Sequence, residues 1–261
     1  MLELLILGEI SHEINFADFQ VCLGVMKRKF PEAGIITINA NGLLRESNRI
    51  EALLEKLFET GVDLATLGNQ ALARVGARRA LERQPRLVRP MNLPPGCPGQ
   101  GAVELETPEG KIWFVTLFTG TDRFPVDDPI GVFESFCSER GAGAPIFVAF
   151  AGPDLAIKKA LAWRVSEREP CIHIFGFGLG AATDDLCIRG GRCTVSDVGM
   201  VGSEELIDGL PPQVWWNINR LRVRESAASP ASALLVDGIR IVLGTGSRAQ
   251  KAERFRIRHP Q

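Results

Sequence analysis

The side chains best suited to chemistry are one carboxylate and two amides in the first third of the chain. Glu9, Asn41 and Asn69 each come shortly after an apolar run of strand length. Carboxylate and amide oxygens are typical ligands for hard cations. One carboxylate and two amides could hold one hard cation such as Mg²⁺ with several waters, but they would hold two poorly. These residues therefore predict at most a weak single-ion site.

The histidines do not extend that set. The chain has three, His12, His173 and His259, and no HxH, HxxxH or HExxH motif occurs. His173 stands between Ile172 and Ile174 in an apolar strand, a pattern typical of a satisfied structural residue. The composition therefore excludes a histidine-rich metal site.

The cysteines indicate reduced core thiols. The six are scattered without a CxxC pair, and their spacing matches no standard zinc motif. The chain opens on an apolar run without a basic segment or a small-residue cleavage site, so no export signal is predicted. That run is too short to span a bilayer. We expect a cytoplasmic protein.

The bulk composition favours an ordinary globular enzyme-sized chain. Of its 261 residues, 45% are hydrophobic and 23% charged, and the formal net charge is -1. These values predict one domain over residues 1–261 with a sizeable core. The nearly balanced charge gives no footprint for nucleic acid or a membrane, and we expect neither as a partner. The basic residues near the C-terminus are interpreted as the solvated face of a final strand.

The hydrophobic pattern predicts alternating strands and helices, followed by a mostly β tail. The predicted strands are Leu2–Leu7, Ile35–Asn39, Leu64–Leu67, Ala102–Glu106, Lys111–Phe118, Ile146–Phe150, Cys171–Phe175, Cys193–Ser196, Leu221–Arg224, Ala233–Val236, Ile239–Leu243 and Phe255–Ile257. The predicted helices are Asp18–Phe30, Asn48–Thr60 with Asn48 as N-cap, Ala71–Gln84, Gly131–Glu139 and Pro153–Val165.

Two turns are predicted from their residues. Pro108-Glu109-Gly110 indicates a hairpin in the middle of the chain, and Asp237-Gly238 indicates another near its end. The segment Met91–Gly101 is rich in proline and glycine, which is typical of a structured loop. Parallel strands first and antiparallel strands later favour two mixed sheets packed between helices.

Several motifs in order resemble one known family. Pro85–Gly101 reads PRLVRPMNLPPGCPGQG, similar to that family's loop PRLLRPANYPPGTPGRG. Asp127-Asp128-Pro129 follows at the family's spacing, and Ser196–Gly202 is similar to its TDVGMTG motif. Gly61–Asn69 resembles its GVDVITTGNH stretch. On these motifs the chain resembles the YmdB-like metallophosphoesterases, which implies a calcineurin-like four-layer αββα sandwich and phosphodiester hydrolysis, including that of 2′,3′-cyclic nucleotides.

The family's metal-binding positions differ in the first half of this chain. The resemblance implies an aspartate where Glu9 stands, and a bridging glutamate where the chain has Ala40, beside the retained Asn41. Asn69 is retained as well, but the adjacent histidine, the family's proton donor by resemblance, is Gln70, which cannot titrate.

The family's later metal-binding positions retain no ligand side chain in this chain. The family's next histidine ligand aligns with Ala151, and a further pair aligns with Gly178 and Gly180, which offer no side chain. Asp154, close to Ala151, is the best candidate for a substitute ligand. We therefore interpret Glu9, Asn41, Asn69, Gln70, Ala151, Gly178 and Gly180 as vestigial metal-site positions with no catalytic residue among them.

From these differences we expect a catalytically degenerate, non-hydrolytic protein, acting as scaffold, regulator or metal-free ligand binder. The alternative is a metal-dependent phosphodiesterase for cyclic nucleotides or other phosphodiesters, with an altered, single-metal site. No cofactor is expected beyond weakly bound Mg²⁺ or Mn²⁺, with Glu9, Asn41, Asn69 and Asp154 as candidate ligands. A nucleotide or phosphate in the old cleft is a candidate ligand. Trp215-Trp216 suggests a homo-oligomer contact, with a half-buried helix as the bland alternative.

Two further motifs are judged to be decoys. Gly176–Ala181 matches GxGxxG/A, with Asp197 at about the distance of a ribose-binding acid, but no crossover helix of a dozen residues follows. Ser11-His12-Glu13 suggests a triad, but no GxSxG elbow accompanies it. Neither is expected to form a dinucleotide site or a serine nucleophile.

Overall fold

The structure is a computed structural model of the whole chain. It describes residues 1–11, 13–45, 49–121, 125–140, 143–166, 171–207, 209–223 and 233–259. His12 and Asn48, singled out in the sequence, lie outside these ranges.

Thirteen strands and six α-helices occur in the described part of the chain. The strands are β1 (Leu2–Ile10), β2 (Ala33–Asn39), β3 (Leu64–Thr66), β4 (Leu87–Val88), β5 (Ala102–Thr107), β6 (Gly110–Phe118), β7 (Ile146–Ala151), β8 (Ile172–Phe177), β9 (Cys187–Arg189), β10 (Arg192–Val195), β11 (Met200–Ser203), β12 (Leu234–Leu243) and β13 (Ala249–His259). The helices are α1 (Phe16–Lys29), α2 (Ile50–Glu59), α3 (Val75–Arg83), α4 (Pro129–Arg140), α5 (Leu155–Ser166) and α6 (Pro212–Leu221), with short 3₁₀ turns at Asn41–Leu44, Asn69–Leu72 and Thr245–Ser247.

The strands form two mixed sheets, as predicted. The first sheet has the order β13-β12-β11-β1-β2-β3-β4, and the second has the order β5-β6-β7-β8-β10-β9. Within the first, β1, β2 and β3 are parallel, whereas β12 runs antiparallel to β1 and β13. The predicted β5–β6 hairpin is confirmed.

Three apolar layers hold the fold together. The first lies between helices α1–α3 and the first sheet, the second between the two sheets, and the third between the second sheet and helices α4 and α5. The protein is therefore a four-layer αββα sandwich with two mixed sheets, which confirms the predicted fold.

Strand β1 shows why its sequence is a continuous apolar run. Leu5 and Leu7 pack in the helix-side layer, whereas Leu4 and Ile6 pack between the sheets. Side chains alternate across a strand, so a strand covered on both faces needs apolar residues at successive positions. The same rule accounts for the buried runs of β7 and β8.

The predicted turn at Asp237-Gly238 is wrong. Both residues lie inside the continuous strand β12, where they pair with Arg256 and Phe255. The Asp237 carboxylate is buried and forms an ion pair with Arg256, with Oδ1 at 2.6 Å from Nε. Gly238 leaves room for the Phe255 ring, since a Cβ there would lie 2.4 Å from the ring. Tertiary packing, and not a turn, accounts for this dipeptide.

Replacing Gly238 by alanine should therefore destabilise the fold. The added methyl group would have to displace the buried Phe255 ring, and overpacking of this kind costs about 1–3 kcal/mol. Chemical denaturation measures the free energy of unfolding. Gly34→Ala is the matched control, because a Cβ at Gly34 would meet no atom within 4 Å. Equal stability of the two variants would contradict the packing explanation.

Two other predicted elements differ from the structure. The expected helix Ala71–Gln84 is divided into a 3₁₀ turn at Asn69–Leu72 and α3, with Arg74 extended between them. The expected strand at Leu221–Arg224 is wrong for its described residues, because Leu221 ends α6 and Arg222 adopts a left-handed backbone. Proline at the first turn of α6 favours a helix start there.

The tryptophan pair is divided between two environments. Trp215 donates from Nε1 to the Ile207 carbonyl at 2.6 Å, whereas Trp216 is 57% exposed beneath the Arg220 guanidinium. The oligomer contact suggested for these residues stays a prediction. Within the described ranges, no helix has both the length and the apolar content to cross a membrane.

Candidate functional site

Three neighbouring parallel strands bring the predicted polar residues together. Because β1, β2 and β3 are parallel, their carboxyl ends meet at one edge of the first sheet. There Asn41 donates from Nδ2 to Glu9 Oε1 at 3.3 Å and to Asn69 Oδ1 at 3.1 Å. We call Glu9, Asn41 and Asn69 the strand-end cluster. Its assembly was expected from the sequence, and in the structure Asn41 contacts both other members.

The orientation of the Asn41 amide is fixed by the backbone. Its Oδ1 accepts hydrogen bonds from the Gly68 and Gln70 N–H groups at 2.9 and 3.0 Å. The Nδ2 group must then face Glu9 and Asn69. The Gln70 N–H points at this oxygen because the chain forms the 3₁₀ turn at Asn69–Leu72. The interruption of the predicted helix Ala71–Gln84 therefore contributes to the site.

The backbone separates Ala40 from Asn41. Ala40 is fully buried in the helix-side apolar layer. Asn41 starts the following 3₁₀ turn and sends its side chain between Glu9 and Asn69. Asn41, and not Ala40, thus occupies the position from which a side chain connects the ends of β1 and β3.

Arg45 supplies a positive charge beside the cluster. Its Nη2 lies 3.2 Å from Glu9 Oε1, and the Glu9 side chain is only 5% exposed whereas that of Arg45 is 30% exposed. A largely buried carboxylate needs a charged or hydrogen-bonding partner. Arg45 meets that need from the solvent side, where it can also contact an anion entering the cleft.

The second sheet brings positions without donor atoms to the same cleft. Ala151 ends β7 opposite Gly68, since a Cβ built on Gly68 would lie 3.1 Å both from the Ala151 Cβ and from Asn41 Oδ1. The methyl group of Ala151 thus borders the cluster and offers no ligand.

Gly178 and Gly180 follow β8 with left-handed backbones. A Cβ on Gly178 would lie 3.0 Å from the Gly152 nitrogen, and its φ is +102°. A side chain at Gly178 would therefore be strained on this backbone. A Cβ on Gly180 meets no atom within 4 Å.

Lys158 was missed in the sequence reading. It is 2% exposed and donates from Nζ to the Phe177 carbonyl at 2.7 Å. Burial lowers the pKa of its ammonium to about 8, against the attraction of Asp197, Glu9, Asp154 and Asp185. The available signal was its helical spacing of three and seven residues before the buried Leu161 and Val165, which places it on the inward face of α5.

Asp197 holds in place the backbone from Gly178 to Gly180, which we call the glycine turn. Its buried carboxylate accepts the Leu179 N–H at 2.8 Å and the Gly199 N–H at 2.9 Å. Burial raises the pKa of Asp197 to about 6, although those N–H groups, Lys158 and Arg254 favour the charged form. Asp197 therefore fixes the backbone between Gly178 and Gly180, and the ribose-binding role considered for it has no place here.

Asp154 caps a helix. Its Oδ1 accepts the Ile157 N–H at 3.1 Å at the exposed start of α5. Asp128 does the same for α4 by accepting the N–H groups of Ile130 and Gly131. Both carboxylates thus satisfy N–H groups in the first turn of a helix. The role of substitute ligand suggested for Asp154 stays a prediction.

The other candidates take structural roles. His173 is fully buried, accepts the Cys193 N–H at Nδ1 and contacts the Ser247 carbonyl through Nε2. Burial lowers the pKa of His173 to about 4, so the ring is neutral near pH 7. All six cysteines lie in the described ranges, and none of them forms a disulfide there. Strand β9, and no crossover helix, follows the glycines after β8.

The donor atoms do not fit a centre of two metal ions. Throughout the ranges that the structure describes, no three His, Cys, Asp or Glu side chains converge as a metal-binding group. Asn41 Oδ1 already accepts two backbone N–H groups. Glu9 and Asn69, which share the Asn41 amide as donor, fit one hard cation completed by waters and substrate oxygens.

A family model described as YmdB-like protein matches residues 5–255. The chain belongs to the YmdB-like family. A curated relative, the 2′,3′-cyclic-nucleotide 2′-phosphodiesterase of Bacillus subtilis (strain 168), is 27% identical over 179 residues. That alignment covers 66% of this chain and 66% of the relative, just short of two thirds of its length.

Two solved structures share the fold over nearly the whole chain. A hypothetical protein from Thermus thermophilus has a TM-score of 0.85 at 23% identity and covers 99% of this chain and 100% of its own. A protein from Mycoplasma pneumoniae described as a novel phosphatase has a TM-score of 0.86 at 21% identity, with 99% and 94% covered. At these identities the likeness establishes the fold.

The interpretation of the chain as a non-hydrolytic protein is wrong by these comparisons. The family match and the name of the Bacillus relative point to a phosphodiesterase-type hydrolase. The strand-end cluster is present despite the residues that differ from the family's metal-binding positions. The absence of histidine ligands from a sequence does not show how the remaining side chains contact one another, so it is insufficient evidence for loss of hydrolysis.

Proposed function

We propose that this chain hydrolyses phosphodiesters, including 2′,3′-cyclic nucleotides, at the strand-end cluster. The observation that carries the proposal is the contact of Asn41 with both Glu9 and Asn69, beside Arg45. The name of the Bacillus relative supports the choice of substrate. The altered donor set distinguishes this site from one with two metal ions.

Each residue of the cluster has a distinct task in this proposal. Hydrolysis joins a water oxygen to phosphorus and breaks one ester P–O bond, and the departing oxygen takes a proton. Arg45 binds the phosphate, since guanidinium groups match phosphate oxygens in charge and geometry. Glu9 lies next to Arg45, and in this proposal its carboxylate accepts a hydrogen bond from the attacking water and orients it. Asn41 holds Glu9 and Asn69 at a fixed spacing.

The cation is part of the proposal. Mg²⁺ or Mn²⁺ would be held by Glu9 and Asn69, and when bound it would polarise the phosphate and favour ionisation of a water. Lys158 is a positioning residue in this proposal. Its hydrogen bond to the Phe177 carbonyl holds the backbone that leads into Gly178.

The direct test is hydrolysis of bis-p-nitrophenyl phosphate and 2′,3′-cyclic AMP with Mn²⁺, with Mg²⁺ and with a chelator. We expect turnover that depends on the cation, and about one bound ion per chain by elemental analysis. Chelator-treated protein with the metal restored is the control for irreversible damage. Absence of turnover of both substrates under every metal condition would overturn the proposal.

A further inference from the structure

A groove with three arginines among its nine lining residues lies next to the strand-end cluster. Residues 49–52 at the start of α2 and 73–76 at the start of α3, together with Arg79, line an open depression with a volume of about 660 Å³. Ligand sites commonly have volumes of about 300–1,000 Å³, so a nucleotide-sized group fits. We call this cavity the arginine groove.

The lining of the arginine groove is strongly positive. Arg49, Arg74 and Arg79 contribute three guanidinium groups. Among the lining residues that the structure describes, Glu51 is the one acidic residue, and it pairs with Arg83, with Oε2 at 3.3 Å from Nη1. The chain as a whole has a formal net charge of -1, so this concentration of positive charge is local. A concave surface with such a lining attracts polyanions.

The two helices that border the groove add to its preference for anions. Neither α2 nor α3 has a side-chain hydrogen bond from its N-cap residue, Arg49 or Arg74. The first turn of α3 also contains no acidic residue. The positive ends of both helix dipoles therefore face the same cavity as the arginines.

A single residue connects the groove to the strand-end cluster. Arg74 donates from Nε to the Arg45 carbonyl at 3.0 Å, and the Arg45 guanidinium contacts Glu9. The Arg74 guanidinium, which lines the groove, is thus separated from the Arg45 guanidinium by about the length of the Arg45 side chain. That relation suits consecutive phosphates of one strand.

We infer that the arginine groove binds a phosphate next to the scissile one, so that the preferred substrate is a short single-stranded oligonucleotide. This inference rests on the proposed function for the position of the scissile phosphate. A cyclic mononucleotide has a single phosphate, which the strand-end cluster would engage, and it leaves the groove unused. The balanced global charge had argued against nucleic acid, but the fold collects arginines that are dispersed along the sequence.

The test is binding of 5′-fluorescein-labelled hexauridylate, measured by fluorescence anisotropy with a chelator present so that no turnover is required. The variants are Arg79→Gln and the double variant R74Q/R79Q, and the control is Arg28→Gln, an exposed arginine on α1. We expect the double variant to bind about tenfold more weakly, and each substitution to reduce the slope of log Kd against log salt by about 0.7. Arg28→Gln should bind like the wild type.

Two results would overturn the inference. One is hexauridylate binding no tighter than 2′,3′-cyclic UMP, and the other is equal binding by Arg79→Gln, R74Q/R79Q and Arg28→Gln. Failure of the proposed function is recognised separately, because it would abolish turnover of bis-p-nitrophenyl phosphate and leave the binding experiment informative. Hexauridylate binding without any turnover would support phosphate binding in the arginine groove and would contradict only the proposed hydrolysis.

Discussion

Replacing Glu9 by glutamine is expected to lower kcat/KM for bis-p-nitrophenyl phosphate by about 10²–10³-fold. Loss of one preorganised electrostatic group in an active site has effects of this size. The glutamine keeps the length of the side chain and an oxygen that can accept from Asn41, but it removes the negative charge that pairs with Arg45 and would hold a cation. Initial rates at saturating Mn²⁺ provide the measurement.

The control for this substitution is Glu104→Gln. Glu104 pairs with Lys111 on the β5–β6 hairpin, at a partly exposed surface site. The Glu104→Gln substitution removes a carboxylate and an ion pair but leaves the strand-end cluster unchanged. Activity of Glu9→Gln within twofold of the control would show that the cluster does not carry the reaction. A thermal melt of each variant separates loss of activity from loss of fold.

The second prediction concerns Asp197 and pH. Because burial raises the pKa of this carboxyl to about 6, the folded chain keeps the proton over a range in which the unfolded chain releases it. The unfolded state then binds fewer protons, and stability falls as pH rises from about 4 to about 6. The contribution of Asp197 to the free energy of unfolding should decrease by about 3 kcal/mol across this window.

The measurement is the difference in unfolding free energy between wild type and Asp197→Asn at each pH. This difference should fall as pH rises through the window and stay level above it. Asp185→Asn is the contrasting control: although burial alone would raise the pKa of Asp185, hydrogen bonds from Ser196 and Thr183 lower it to about 2. Its stabilising effect should be lost only in stronger acid. A flat profile for Asp197→Asn would show that the Asp197 carboxyl titrates alike in both states.

Lys158 affects stability at alkaline pH, with a sign opposite to that of Asp197. Burial lowers the pKa of Lys158 to about 8, so the folded chain loses a proton that the unfolded chain retains. Stability attributable to Lys158 therefore rises between about pH 8 and the pKa of an exposed lysine. Asp197 and Lys158 together contribute least to the free energy of unfolding between about pH 6 and pH 8, where both are charged.

The members of the strand-end cluster were predicted from the family resemblance, and a local rule explains why they meet. Parallel strands in sequence order present their carboxyl ends at one edge, so residues that follow β1, β2 and β3 meet. The apolar runs also determined which segments are buried on both faces. Family motifs spread along the chain were sufficient for the αββα fold, since they fixed the order of many elements at once.

The tertiary structure decided what depends on contacts between distant segments. Asp237-Gly238 has the residues of a turn, but the pairing of β12 with β13 and the Phe255 ring place it inside a strand. Lys158 is a polar residue at a buried helical position, and only the packing of α5 against β8 shows that its ammonium meets the Phe177 carbonyl. The arginine groove likewise requires α2 and α3 to begin side by side. Sequence alone specifies local periodicity and composition, whereas charges, cavities and hydrogen-bond partners arise when remote residues are brought together.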